Sequence, residues 1–309
     1  MGSTLNVEAA RLEAVACNLC GSDEAEEIYP SNLDGRSGRA DRLRCTDRAL
    51  GKHGRIVRCR ACGLAYTNPR EPVRAVLDAY EAVEDQTYLD EEQGRVETFR
   101  GSLNLLHKYR RPPGSLLDIG CYTGLFLSVA QAQGWTVAGV EPSGWACRVA
   151  RERYHVEAAQ GALSSLNGQG FDAATMWDVL EHFTDPFGEL QRTHQILRPN
   201  GILALTTIDM RSPIARLLGR RWWWLMEMHL YYFTRETVAK LLERAGFEVL
   251  AIHNHVRMIS LRYLCTRLEP WMGGLARRLS RSGEWAGVNA FRIPIVLGDI
   301  MTVVARRRP

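Results

Sequence analysis

Long hydrophobic runs are missing from this 309-residue chain: no apolar stretch approaches the roughly 18 residues that a membrane-spanning helix needs. No apolar core segment follows the first residues, where Glu8 and Glu13 stand instead, so the expectation is a chain without a secretory signal and with a cytoplasmic location. An excess of either charge is also missing. The net charge of +4 is too mild to point to nucleic acid by itself, although Arg306, Arg307, Arg308 and the arginines between 267 and 281 concentrate it. No self-similarity at a period of about 20 to 50 residues appears, which excludes solenoids and propellers. What is present, 46% hydrophobic and 24% charged residues, describes one large core with room for a small second unit and excludes bulk disorder.

The most informative run is Leu116-Leu117-Asp118-Ile119-Gly120-Cys121-Tyr122-Thr123-Gly124. An apolar strand stops there in a turn punctuated by glycine, and an apolar helix opens through Leu125, Phe126, Val129 and Ala130 to end near Gly134. Glycines 120 and 124 allow backbone conformations, and a closeness to a ligand, that a Cβ would forbid. A second strand over 136–141 ends on Glu141, roughly 20 residues past the turn, where doubly wound folds hydrogen-bond a ribose. A nucleoside ligand follows. The dinucleotide fingerprint Gly-x-Gly-x-x-Gly does not fit, because Asp118-x-Gly120-x-x-x-Gly124 has another glycine spacing and an acid inside the turn.

This acidic-glycine turn, the later Phe171-Asp172 strand, the segment Val179-Leu180-Glu181-His182 and Leu197-Arg198-Pro199-Asn200-Gly201 together resemble the class I S-adenosylmethionine-dependent methyltransferases. The resemblance spans roughly residues 95 to 305. It implies an α/β, doubly wound, Rossmann-like sheet of seven strands whose last strand runs antiparallel between its two predecessors. By the same resemblance Asp118, Gly120 and Gly124, with Cys121 and Tyr122 between them, line the methionine part of the cofactor, and Glu141 holds its ribose. Pro142, Ala162, Leu163, Trp177 and Asp178 complete the implied cofactor-binding set. Tyr122 departs from the family pattern, which has a third glycine there, so its side chain either shapes the cofactor pocket or obstructs it.

Eight cysteines in a reducing compartment argue against a disulfide framework, so paired spacings read first as metal sites. Cys17-x-x-Cys20 and Cys59-x-x-Cys62, each followed by a glycine, have the form of two knuckles of a structural zinc ribbon. Cys45 and His53 are substitute ligands, whereas Cys121, Cys147 and Cys265 read as unpaired. A closed four-thiolate site activates no water, so its role is folding energy or substrate presentation.

Asn68-Pro69-Arg70-Glu71-Pro72 reads as a stop and restart. It sets a ribbon domain at 1–70, a helical linker or cap at 71–110 and the methyltransferase domain at 111–309. Pro72 opens a helix through Leu77 and Tyr80, and Val96, Phe99, Leu103 and Leu106 repeat at helical spacing. Downstream the pattern predicts a helix over 143–153, a short strand near 156, a strand over 171–177, a helix over 187–197 and a strand over 202–207. Thr234 then caps a helix that ends before Gly246, a strand covers 247–252, and a final strand falls in 293–305.

Methyl transfer from a sulfonium is an in-line displacement, so the protein positions the nucleophile and removes its proton. Asp178, Glu181 and His182 follow the 171–177 strand, and a helix starting there puts all three on one face. They read as a catalytic histidine with an orienting carboxylate, as a divalent-metal site, or as a structural helix cap. The segment is similar to the acid-Val-Leu-Glu-His stretch of ubiquinone-biosynthesis O-methyltransferases, which implies magnesium as a conditional cofactor. His229 is a second candidate base. It lies in the aromatic run from Trp222 to Phe233 inside a predicted acceptor-pocket lid at 211–233, where core packing, an acceptor platform and a membrane-facing lid all fit.

A helical insertion is predicted at 253–292, with a basic amphipathic helix over 256–279 that includes Trp271. It caps the core or makes a peripheral membrane contact. The expected activity is methylation of a small-molecule acceptor. An oxygen of a sugar, surface-polysaccharide or natural-product intermediate comes first, since the ribbon-plus-methyltransferase plan resembles enzymes of those pathways, and a quinone-like or lipid-linked acceptor second. A zinc-ribbon adaptor or nucleic-acid-binding module with a degenerate cofactor fold is the reading from another class.

Overall fold

A computed structural model describes residues 12–33, 51–166, 170–260, 264 and 291–309. The chain begins with three short strands, β1 (Ala25–Tyr29), β2 (Ile56–Cys59) and β3 (Ala65–Thr67), paired antiparallel in that order. The helix expected after Pro72 is α1 (Val73–Glu81), with Pro72 one position earlier than expected, as its N-cap. A longer helix, α2 (Glu92–Leu106), buries Leu103 and Leu106.

The glycine turn sits where the pattern put it, between β4 (Gly114–Ile119) and α3 (Leu125–Gln131). Then follow β5 (Trp135–Glu141), α4 (Gly144–Tyr154), β6 (Ala158–Gln160), β7 (Phe171–Trp177), α5 (Pro186–Ile196) and β8 (Leu197–Ile208). Beyond them come α6 (Pro213–Leu218), β9 (Tyr231–Tyr232), α7 (Arg235–Arg244) and β10 (Phe247–Asn254). Thr234 caps α7 as its sequence position predicts, its hydroxyl accepting the Thr237 N–H. The chain closes with β11 (Arg257–Ser260), β12 (Arg292–Ile295) and β13 (Ile300–Arg307).

Seven strands form one sheet in the order β10-β13-β8-β7-β4-β5-β6. The five from β8 to β6 are parallel, and β13 is inserted antiparallel between β10 and β8. This is the Rossmann-like methyltransferase arrangement. Parallel strands covered by helices on both faces must be apolar on both sides, and Leu116, Leu117, Ala173, Ala174, Leu203 and Leu205 are all essentially fully buried.

Gly124 shows how tightly the turn is built. Its φ is +76°, and a Cβ there would approach Val156 Cγ2 to 2.7 Å and Ala150 Cβ to 2.8 Å. Gly124→Ala should therefore cost about 2 to 4 kcal/mol from backbone strain plus overpacking, read as a lowered urea midpoint at unchanged slope. An unchanged midpoint would contradict this account.

Two sequence expectations change. The final apolar stretch is two strands, not one: residues 292–295 pair with 257–260 as a separate ribbon, and only 300–307 join the main sheet. Correspondingly, residues 257–260 are extended instead of beginning an amphipathic helix. Their backbone groups find partners more than 30 residues away, across an insertion that helical periodicity cannot look beyond. Trp271 and almost all the rest of the predicted helix lie outside the described residues. Among the described residues, no helix is long and apolar enough to cross a membrane.

Candidate active site and metal centre

Open α/β sheets bind ligands beyond the carboxyl ends of their strands where the strand order reverses. β4 lies at that point, with β5 and β6 on one side and β7 and β8 on the other. Beyond β4 the backbone takes left-handed conformations at Gly120 (φ 71°), Tyr122 (φ 46°) and Gly124 (φ 76°). Tyr122 holds this conformation because its N–H donates to Glu141 Oε2 at 3.0 Å, while Ser143 N–H donates to Oε1 at 2.9 Å. Its ring meets Tyr88 edge-on at 4.6 Å between centroids and lies 5.9 Å from Trp145. The tyrosine at the expected glycine position is thus accommodated by the carboxylate of the next strand and by two aromatic neighbours.

Asp118 accepts the Thr175 hydroxyl at 2.6 Å. Burial pushes its carboxyl up to about 8, opposed by that hydroxyl and reinforced by the charge of Glu141. Burial likewise pushes Glu141 up to about 7, against the pull of the Ser143 and Tyr122 N–H groups. Cys121 is buried in the turn, and Pro142 follows Glu141 with its carbonyl 3.4 Å from Gln160 Nε2. Ala162 and Leu163 open the short turn after β6. Trp177 ends β7 against Phe99 and Phe126, its indole N–H buried without a hydrogen-bond partner among the described residues.

The three polar residues after β7 do not share one helical face. Residues 180–182 make a single 3₁₀ turn, and Asp178 precedes it in a left-handed conformation. Asp178 accepts from the Thr206 hydroxyl at 2.8 Å and from Arg257 Nη2 at 2.6 Å. Burial raises its carboxyl, but Arg257 and then His255 outweigh that and hold it below its ordinary value. Glu181 instead accepts from Thr207 Oγ1 at 2.8 Å and is pushed up to about 8, first by burial and then by Asp178. Each of the three polar groups has its own long-range partner: Arg257 for Asp178, Thr207 for Glu181 and the Met228 carbonyl for His182.

His182 and His229, 47 residues apart in sequence, meet edge to face with centroids 4.9 Å apart. His182 Nδ1 lies 2.9 Å from the Met228 carbonyl and 2.9 Å from the Tyr80 hydroxyl, and His229 Nδ1 lies 2.8 Å from the Trp224 carbonyl. A carbonyl only accepts, so each Nδ1 carries a proton and each Nε2 keeps its lone pair. Burial holds both rings below the ordinary histidine value, His229 at about 3.

Ring nitrogens of the two histidines and a Glu181 oxygen lie within 4.8 Å of one another. Two imidazoles and one carboxylate suit a transition ion better than magnesium, which prefers an all-oxygen environment. The expected Asp178-Glu181-His182 magnesium trio is not assembled.

The second cluster is Cys17, Cys20, Cys59 and Cys62, whose sulfurs also lie within 4.8 Å of one another. Cys17 and Cys62 are 3.4 Å apart and Cys20 and Cys59 3.5 Å, close to the roughly 3.8 Å between thiolates around tetrahedral zinc at 2.3 Å per bond. Burial opposes ionisation of Cys59, yet the amides of Cys62 and Ala61 and the Cys20 sulfur bring its thiol down to about 7. His53 is not in the cluster, its Nδ1 facing the Gly54 carbonyl at 2.7 Å. Cys45 and Cys265 lie outside the described residues.

The aromatic segment expected to form a lid divides its contacts. Trp222 is buried beside Leu225, Tyr232 and Ile208, and both Trp222 and Trp224 direct their indole N–H groups at Asp299. Trp224 also stacks on His229 at 6.1 Å and 25°. Thr175, Thr207, Tyr80 and Arg257 hold the acids and His182; the sequence points to Tyr80 only as a helix residue and to Arg257 only as part of the basic amphipathic segment. For the two threonines the signal was a hydroxyl inside otherwise apolar strands.

The fold and turn define a class I, Rossmann-like methyltransferase. A family model described as a methyltransferase domain matches residues 91–252, more than half of the 309 residues, and the chain belongs to that family. The ubiquinone biosynthesis O-methyltransferase of Dinoroseobacter shibae is 28% identical over 149 residues, covering 43% of this chain and 59% of that one. The protein of the same name from Pseudomonas aeruginosa is 31% identical over 113 residues, covering 34% and 48%. The chain spans about half the length of these curated relatives. Among solved structures, the YcgJ protein of Bacillus subtilis is similar at 16% identity and TM-score 0.47, over 68% of this chain and 99% of that one. Phosphoethanolamine N-methyltransferase 2 of Haemonchus contortus is similar at 17% identity and TM-score 0.44, over 68% and 53%.

Proposed function

We propose that the chain transfers the methyl group of S-adenosylmethionine to a hydroxyl of a small acceptor, and that the paired neutral histidines His182 and His229 face that acceptor. The observation that carries this reading is the fixed tautomer of both rings, which keeps both Nε2 lone pairs, with a ring nitrogen of each histidine within 4.8 Å of a buried Glu181 oxygen just beyond β7. The cofactor supplies an electrophilic methyl on a positively charged sulfur. Glu141 presents to the ribose hydroxyls the lone pairs its two N–H contacts leave over, and the turn from Gly120 to Gly124 lets the backbone come close. As the acceptor oxygen attacks the methyl carbon and the sulfur–carbon bond breaks, its proton passes to an Nε2 of the pair.

The buried acids support a cationic ligand. Asp118 and Glu141 sit above their ordinary range in the ligand-free chain, and a positive ligand favours their ionised forms, so binding near pH 7 should release protons. Calorimetry in two buffers of different ionisation enthalpy should show a difference corresponding to about half a proton to one proton. A binding heat independent of the buffer would count against it.

Among acceptors, a planar hydroxylated ring of quinone-like type is supported by the stacking of Trp224 on His229 and by the names of the relatives. A hydroxyl of a sugar or natural-product intermediate is the second reading, resting on the resemblance of the ribbon-plus-methyltransferase plan. Transfer of labelled methyl to a panel of catechols, hydroquinones and nucleotide sugars tests both. Absence of S-adenosylmethionine binding by the folded protein would overturn the enzyme reading and leave the adaptor one.

The four cysteines are read as a structural zinc site. Purified protein should carry about one zinc per chain, and Cys59→Ser should lose it with a lower melting temperature. A metal-free wild type of undiminished stability would refute the assignment.

A further inference from the structure

Each cysteine pair anchors one of the two histidine-bearing segments. Between Cys17 and Cys20, the Asn18 side chain accepts the Phe187 N–H at 2.8 Å and donates to Asp185 Oδ1 at 2.8 Å, just beyond the His182 turn. Arg244 donates to the Asn18 and Leu19 carbonyls of the same knuckle. The second pair, Cys59 and Cys62, closes the turn between β2 and β3, and β3 reaches the other histidine. Ala65 and Tyr66 pair with Tyr232 and Tyr231. Thr67 N–H donates to the Leu230 carbonyl at 2.9 Å and its hydroxyl to the His229 carbonyl at 3.2 Å. The loop holding His229 therefore lies between two templates, since Leu230 N–H also donates to the Glu181 carbonyl at 2.9 Å.

We propose that the metal at the four cysteines is a splint for the acceptor face: by joining the two knuckles it sets His182 and His229 at their mutual distance, with Thr67 as the positioning residue that transmits the constraint. The inference rests on the proposed roles of the two histidines. The sulfurs already meet across the knuckles, Cys17 with Cys62 and Cys20 with Cys59, so one ion bonded to the four thiolates would tie the two knuckles together. The cofactor turn stands apart from this linkage, because Gly120 to Gly124 is held by β5 and Glu141. Loss of the metal should consequently loosen one half of the site and spare the other.

The test compares the zinc-loaded full-length chain with the same chain after chelation, by three readouts. Histidine ring NMR signals, assigned with His182→Gln and His229→Gln, should lose their Nδ1–H tautomer signature on zinc removal and regain it on zinc return. The S-adenosylmethionine dissociation constant should stay within about 2-fold, while turnover falls on the order of 100-fold. Thr67→Val, which keeps all four thiolates, should retain zinc and cofactor affinity yet lower turnover about 10-fold, with Thr67→Ser restoring it. Ring signals unchanged by chelation would overturn the splint, as would cofactor binding lost together with them, which would make the ribbon a general folding element. Metal-dependent ring signals in a chain that methylates no acceptor would uphold the splint and discard the proposed reaction.

Discussion

Glu141→Ala should raise the dissociation constant for S-adenosylmethionine by at least about 100-fold, or roughly 3 kcal/mol. The carboxylate does two things at once. It accepts the Tyr122 and Ser143 N–H groups, which keeps a tyrosine in a left-handed turn, and in the proposed function it offers its remaining lone pairs to the ribose hydroxyls. Alanine leaves two buried donors unsatisfied and removes the ligand's acceptors in one step. Glu141→Gln should fall between, because its amide group sets a donor against one of those backbone donors. Titration calorimetry decides the matter, and a change below about 3-fold for alanine would show that Glu141 is not the ribose partner.

The second large effect belongs to the histidines. His182→Ala and His229→Ala should each lower kcat on the order of 100- to 10,000-fold while cofactor affinity stays near wild type. Burial holds His229 at about 3 and His182 below its ordinary value, so both rings are neutral at pH 7. The acid limb of the kcat profile should accordingly lie below the usual histidine value of about 6.5. Stability carries the same sign. Between about 6.5 and about 3 the unfolded chain binds a proton that folded His229 does not, so His229 adds stability above that window that is lost as pH falls through it. His229→Gln should flatten the acid side of the melting-temperature profile, and an unaltered profile would contradict the burial argument.

Much of this was legible locally. The glycine turn, Glu141 at the strand end, the strand-helix alternation, the Thr234 cap and the two cysteine pairs all depend on neighbours within a few residues, where periodicity and turn chemistry act. Other features escaped the sequence because their partners are distant. Asp178 leaves the expected cluster for Arg257, 79 residues on. Residues 257–260 turn from expected helix to strand on pairing with 292–295. The strand β9 joins the sheet of the cysteine knuckles across the predicted boundary at residue 70.

By itself, then, the sequence determined the fold class, the glycine turn after β4 and the two cysteine pairs that come together, since apolar period, glycine position and Cys-x-x-Cys spacing are properties of short stretches. Only the tertiary structure decided which polar groups meet. His182 with His229, Glu181 with Thr207 and Thr67 with the His229 carbonyl are joined by burial and hydrogen bonding, and these contacts form once the core has brought separate segments together and every buried donor and acceptor must find a partner.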